Sequence, residues 1–198
     1  MANEKALLII DSNSVIHRAY HALPPLTTKS GKLVNAVYGF SNMLLKAVGE
    51  VKPFYVACAF DTAAPTFRHV EFEKYKAQRP TPPPDLYPQL PIVKKVLEAF
   101  DIPYFEKAGY EADDLLASIA SKVLTKAHPQ GAPGSGQAHP GGGASVQITV
   151  LSGDRDVLQL VDGDIKAQMP GWNLNTTTLF GAKEVEEKYG VTPEQMVD

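Results

Sequence analysis

Four short apolar runs punctuate the chain: ALLII (6–10), FYVACAF (54–60), IPYF (102–105) and VQITVL (146–151). Each is bounded by polar or turn-forming residues and is too short for a buried helix, so each predicts a buried strand. Between them the apolar spacing becomes helical. In NAVYGFSNMLLKAVGEV (35–51), Val37, Phe40, Leu44, Leu45 and Val48 share one face, and LPIVKKVLEAF (90–100) and DDLLASIASKVL (113–124) behave alike. A short helix is expected directly after Asp11, and the stretch MPGWNLNTTTLFGAKEVEEKYG (169–190) reads as a strand pair and a helix. Alternating strands and helices predict an α/β fold with a mostly parallel sheet and helices on both faces. Right-handed crossovers then bring the strand C-termini to one edge.

Two segments break this rhythm. AHPQGAPGSGQAHPGGGAS (127–145) has almost no apolar bulk to bury and is expected to be a flexible Gly/Pro-rich insertion. Its two histidines, His128 and His139, are too isolated to make a metal site. TAAPTFRHVEFEKYKAQRPTPPPDL (62–86) interleaves basic and aromatic residues and ends in prolines. It is long for a connection inside a compact domain, which favours a functional loop.

Composition narrows the class. The 198 residues are 44% hydrophobic, enough for one domain with a sizeable core. The single cysteine, Cys58, has no internal partner and reads as a small core residue, which fits a reducing, cytoplasmic compartment. MANEKALLIID carries no signal-peptide pattern, and no apolar run approaches the ~20 residues of a membrane helix. The formal net charge is −3, so contact with nucleic acid has to come from a local basic patch.

Acids cluster where strands end. Asp11 follows ALLII and Asp61 follows FYVACAF. Glu111, Asp113 and Asp114, in GYEADDLL, lie shortly past IPYF, and Asp154 and Asp156, in LSGDRD, lie just past VQITVL. Helix capping accounts for each acid singly, at about 0.3–1 kcal/mol apiece. It accounts poorly for all of them on one edge, because two like charges about 4 Å apart repel by about 4 kcal/mol at an effective dielectric of 20. Divalent cations remove that repulsion. An all-oxygen ligand set favours Mg2+ or Mn2+ over zinc, and several acids allow two ions. Opposite this edge stand Arg18, in VIHRAY, and the cations of 62–86, where Arg68, Lys74, Lys76 and Arg79 alternate with Phe67, Phe72 and Tyr75. Cations of this kind neutralise phosphates and the aromatics stack on bases, although Glu71 and Glu73 also allow a plain solvated helix. No Gly-x-x-x-x-Gly-Lys-Ser/Thr phosphate loop and no Gly-x-Ser-x-Gly nucleophile elbow is present. DSNSV (11–15) partly matches the Asp-x-Ser-x-Ser loop of ion-dependent adhesion modules, with Asn13 at its third position.

Taken together, DSNSVIHRAYHALPPLTTKSG, FDTAAPTFRHVEFEKYKAQRP, GYEADD and SGDRD resemble the 5′ nuclease domains at the N-terminus of bacterial DNA polymerases, within the flap endonuclease group. The resemblance implies a PIN-like three-layer fold with a twisted, mostly parallel sheet, and a two-ion Mg2+ or Mn2+ hydrolysis of phosphodiester bonds near a 5′ end. It assigns Asp61, Glu111, Asp113 and Asp114 to a first metal site, with Asp11 as a metal-site acid beside it, and Asp154 and Asp156 to part of a second. It makes Lys76 and Arg18 the groups that stabilise charge on the phosphate, and Arg68, Tyr75 and Arg79 DNA contacts in a helical arch formed by 62–86. It implies as partners a DNA flap or 5′ end, an RNA primer paired with DNA, and covalently linked polymerase domains, with the protein monomeric. The resemblance implies a further helix-hairpin-helix region that grips duplex DNA and supplies further aspartates, and the 198 residues are expected to stop short of it. Two readings stand at this point: a structure-specific 5′ nuclease, and a catalytically incomplete module that binds metal and 5′ ends without turnover.

Overall fold

A computed structural model describes residues 5–72, 75–78, 82–127, 146–171, 174 and 176–196. In chain order the elements are β1 (Lys5–Asp11), α1 (Ser12–Ala22), α2 (Asn35–Val51), β2 (Tyr55–Phe60), α3 (Phe67–Glu71), α4 (Leu90–Ala99), β3 (Tyr104–Glu106), α5 (Ala112–Ala127), β4 (Val146–Leu151), β5 (Ile165–Pro170), β6 (Thr177–Phe180) and α6 (Ala182–Tyr189). Short 3-10 turns cover Tyr87–Gln89, Arg155–Leu160 and Pro193–Gln195.

One six-stranded sheet runs in the order β3-β2-β1-β4-β5-β6. All pairs are parallel except β5 with β6. The period-two alternation of β1 divides the core. Leu8 and Ile10 point to the side covered by α1, α2 and α4, against Phe40, Met43, Leu44, Val93 and Leu97. Leu7 and Ile9 point to the side covered by α5 and α6, against Leu116, Ala120 and Val185. The central strands β1, β2 and β4 are therefore buried on both faces, the edge strands β3 and β6 stay largely exposed, and the result is the expected three-layer α/β sandwich. Cys58 is fully buried in β2.

The third strand is shorter than the apolar run IPYF. It begins only at Tyr104, because Pro103 has no N–H for the ladder and contributes only its carbonyl, to the Cys58 N–H at 3.0 Å. The chain places β2 and β3 on one side of β1 and β4 to β6 on the other. The strand order thus reverses between β1 and β4, and beyond the carboxyl ends of strands at such a reversal an open sheet leaves a crevice. Among the described residues no helix is long and apolar enough to cross a membrane. Apart from Ala127, which closes α5, the 127–145 segment lies outside the described residues, as do Lys74, Arg79, His128, His139 and Trp172.

Candidate active site

The crevice is floored by acids from four separate strand ends. Asp11, the last residue of β1, is 4% exposed. Its Oδ1 accepts the Ser14 N–H at 3.1 Å and so caps α1, while its Oδ2 accepts the Ser152 hydroxyl at 2.7 Å. Ser152 in turn accepts the Asp154 N–H at 3.0 Å, so one hydroxyl ties the ends of β1 and β4 together. Next to it the Gly153 N–H donates to Ser14 Oγ at 2.9 Å, and a Cβ at Gly153 would stand 2.9 Å from that same oxygen; glycine is what permits the approach. Asp61 follows β2. Its Oδ1 accepts the Ala112 N–H at 2.6 Å at the start of α5, and its own N–H donates to Asn13 Oδ1 at 3.2 Å.

Asp11, Asp61, Glu111, Asp113 and Asp154 line one open pocket of about 660 Å3, together with Asn13, His17 and Lys76. The floor is electrostatically uncomfortable. Burial pushes the Asp11 carboxyl up to about 6 despite its bonds to Ser14 and Ser152, and the like charges of Asp61 and Asp154 add to the rise. Burial likewise pushes Asp113 up to about 7, reinforced by Asp11, Asp154 and Asp61 and opposed by Lys76.

A second group of acids is already neutralised. Arg68, on α3, donates from Nη1 and Nη2 to the two oxygens of Asp114 at 2.9 and 2.8 Å. Asp114 Oδ2 also accepts the Glu111 N–H at 2.9 Å, which caps the first turn of α5. The Arg68 guanidinium holds the Asp114 carboxyl below its ordinary value. Lys76 Nζ lies 2.8 Å from Glu111 Oε1, and the Tyr75 hydroxyl donates to Glu111 Oε2 at 3.1 Å. Lys76 adopts a left-handed backbone, φ 54°, a conformation that disfavours side chains larger than glycine.

The structure therefore sorts the residues singled out from sequence. Five of the seven acids share the pocket; Asp114 stands behind it on Arg68, and Asp156 is exposed, its N–H on Asp154 Oδ1 at 3.3 Å. Lys76 and Tyr75 reach Glu111 at the rim. Arg18 lies next door, in a hollow of about 510 Å3 with Ser14, His17, His21 and Gly153. It donates to the Gly171 carbonyl, and its buried Nε has no hydrogen-bond partner among the described residues. Sequence reasoning missed Asn13, Ser14 and Ser152. The only signal was the serines flanking acids in DSNSV and LSGDRD.

The donor set fits a hard divalent cation. All pocket acids offer oxygen, and two of them strongly resist ionisation in the absence of positive charge. Among the described residues no three Asp, Glu, His or Cys side chains already enclose one point as a metal cage. The acids line an open cleft, the arrangement suited to an ion that keeps several of its waters.

The family described as "5′-3′ exonuclease, N-terminal resolvase-like domain" matches residues 6–190, and the chain belongs to that family. Among curated relatives, the DNA polymerase I of Caldicellulosiruptor bescii is 38% identical over 194 residues, 97% of this chain and 21% of that protein. The chain thus spans about a fifth of the length of the curated relatives it matches. Of solved structures, the T5 5′-exonuclease with divalent zinc ions bound superposes with a TM-score of 0.64 at 18% identity, covering 96% of this chain and 64% of that one. A bacteriophage T5 flap endonuclease in a pseudo-enzyme-product complex with DNA and metal ions gives 0.63 at 16%, covering 94% and 61%. These two are likenesses of fold.

Proposed function

We propose that this chain is the catalytic core of a metal-dependent, structure-specific 5′ nuclease that hydrolyses phosphodiester bonds near a 5′ end of DNA, acting in the cytoplasm as the N-terminal portion of a DNA polymerase I. The observation that carries the reading is the convergence of Asp11, Asp61, Glu111, Asp113 and Asp154 on one pocket in which Asp11 and Asp113 hold their protons far above the ordinary range. Family membership supports it, as do relatives named DNA polymerase I. A hard oxygen donor set argues for Mg2+ or Mn2+ as the working ions. Such an ion, when bound, supplies Lewis acidity and positive charge at the reacting phosphate.

The chain's own groups do the rest. The pocket acids hold the ions and, by their remaining negative charge, keep DNA out until ions are present. Lys76, at the rim beside Glu111, meets the phosphate and stabilises the charge that develops on it, and Arg18 holds a neighbouring phosphate from the adjoining hollow. Tyr75 offers a ring for base stacking. The 62–86 segment acts as the arch over a single strand, with Arg79 among its phosphate contacts. Asp156 joins Asp154 at a second ion.

The test uses a flap DNA labelled at its 5′ end, incubated in Mg2+ or Mn2+ with this chain, with Asp113→Asn and with EDTA. Cleavage dependent on metal and on Asp113 is expected. Metal and flap binding without cleavage would favour the alternative of a binding module that lacks turnover, and no binding of either would sink both.

A further inference from the structure

Arg68 and Asp114 carry roles by resemblance, one on DNA and one on metal, yet the two are bonded to each other. The contact is a two-pronged guanidinium–carboxylate pair at 2.9 and 2.8 Å, the strongest geometry such side chains adopt. Neither residue lines the acid pocket. Asp114 passes the contact on, because the oxygen that takes Nη1 also takes the backbone N–H of Glu111. Arg68 Nη1 stands 3.6 Å from Glu111 Oε2 as well. The helix that carries Arg68 is itself docked on the loop leading into α5: the Phe67 N–H donates to the Gly109 carbonyl at 3.1 Å, and the Phe67 ring lies 6.0 Å from Tyr110. The guanidinium also stacks over the Phe67 ring at 4.6 Å. The contacts of the pair thus run to Glu111, and the helix that carries Arg68 docks on Gly109 and Tyr110.

We propose that Arg68 and Asp114 are a positioning pair that sets Glu111 and Asp113 against the pocket, and that neither a DNA phosphate nor a divalent ion is their ligand. The pair fixes the backbone at Glu111 and the pitch of the first turn of α5. That turn decides which of three nearly consecutive acids faces the ions. Asp113 is presented, Glu111 reaches in from the rim, and Asp114 is withdrawn and neutralised. This rests on the metal-dependent reading of the pocket given above.

Two titrations on the folded chain, without turnover, decide it. One is Mn2+ binding without DNA. The other is flap binding in Ca2+ over a series of salt concentrations. Arg68→Met and Asp114→Asn are each expected to weaken Mn2+ binding about tenfold, the usual scale for groups that orient metal ligands. The double variant is expected to be no weaker than either single one, because the pair acts as a unit. Arg68→Lys, which keeps the charge but loses the fork, recovers only part of the loss. The salt slope of flap binding is expected to stay unchanged in Arg68→Met. A slope reduced by about one counterion with Mn2+ affinity intact would make Arg68 a phosphate contact and overturn the pair. Loss of Mn2+ binding in Asp114→Asn far beyond that in Arg68→Met would make Asp114 a direct ligand and overturn it equally. A wild-type chain that binds no Mn2+ at all would instead remove the metal reading of the pocket. Thermal unfolding of each variant verifies that the fold persists, and Arg68→Lys serves if Arg68→Met does not fold.

Discussion

The floor and the rim of the same crevice handle negative charge in opposite ways. On the floor, Asp11 is buried and Asp113 half-buried among like charges, and their carboxyls rise to about 6 and about 7. At the rim, Glu111 is held by Lys76 and Tyr75, and just behind it Asp114 is held by Arg68 and its carboxyl falls. The two groups are neighbours in sequence, since Asp113 and Asp114 are consecutive. One residue step, about 100° around the helix, separates an uncompensated carboxyl from one that already has its cation. A protein that only needed stable helix ends would have given both the second treatment. Leaving the floor uncompensated costs stability and makes sense where an external ion supplies the missing charge.

Substitution of the floor is the harshest way to test the contrast. Asp113→Asn is expected to lower metal-dependent flap cleavage on the order of 10³-fold, scored by release of a labelled 5′ product. The same change should raise the melting temperature of the metal-free chain, because it removes a buried like charge. A melting temperature that falls instead would show that Asp113 is compensated in solution and that the contrast is false.

The link between strands should matter next. Ser152→Ala removes the hydroxyl that joins Asp11 to the Asp154 backbone, and Mn2+ binding should weaken about 10–100-fold by titration calorimetry. Unchanged binding would mean the floor acids hold their places without help.

Acidity separates the two groups by sign. Asp11 and Asp113 bind protons more tightly folded than unfolded, so between about pH 4 and 7 the folded state holds the extra protons. Stability of the metal-free chain should therefore fall by several kcal/mol as pH rises through that window, and divalent ions at pH 8 should restore it. Asp114 behaves oppositely: its depressed value contributes stability above the ordinary carboxylate range, lost as pH falls through its folded value. Denaturant midpoints at stepped pH, with and without Mn2+, read both slopes.

The mildest probe is Lys76→Met. Freed of its rim cation, Glu111 should let Mn2+ bind up to about fivefold more tightly without DNA, the scale of a partly exposed ion pair. Flap cleavage should drop nonetheless, because Lys76 is assigned to the phosphate. Looser Mn2+ binding would mean that Lys76 helps to shape the metal site rather than competing with it.

Much of the scaffold was legible in the chain. ALLII, FYVACAF and VQITVL become strands because a continuous apolar run fits a strand buried on both faces. The meeting of Asp11, Asp61, Asp113 and Asp154 also followed, since parallel pairing sends the strand C-termini to one edge. The division of the acids into floor and rim was not legible. Asp113 and Asp114 look equivalent as letters, and what separates them is the rotation of about 100° between consecutive helical residues and an arginine 46 residues earlier. Ser152 escaped for a related reason: a hydroxyl bond to Asp11, 141 residues away, leaves no periodicity to read. The place of β1 between β2 and β4, and the reversal of β6, are likewise properties of pairing rather than of any one segment.

The position of β1 has a consequence for the newly made chain. β1, β2 and β3 lie within the first 106 residues and can pair as soon as they exist, but β4, with Ser152 and Asp154 behind it, pairs with β1 only after residue 146. Closing a loop of that length for a parallel pairing is among the slower steps in folding. The acid-lined crevice is therefore assembled late during synthesis, and a chain still short of residue 154 carries only part of its floor.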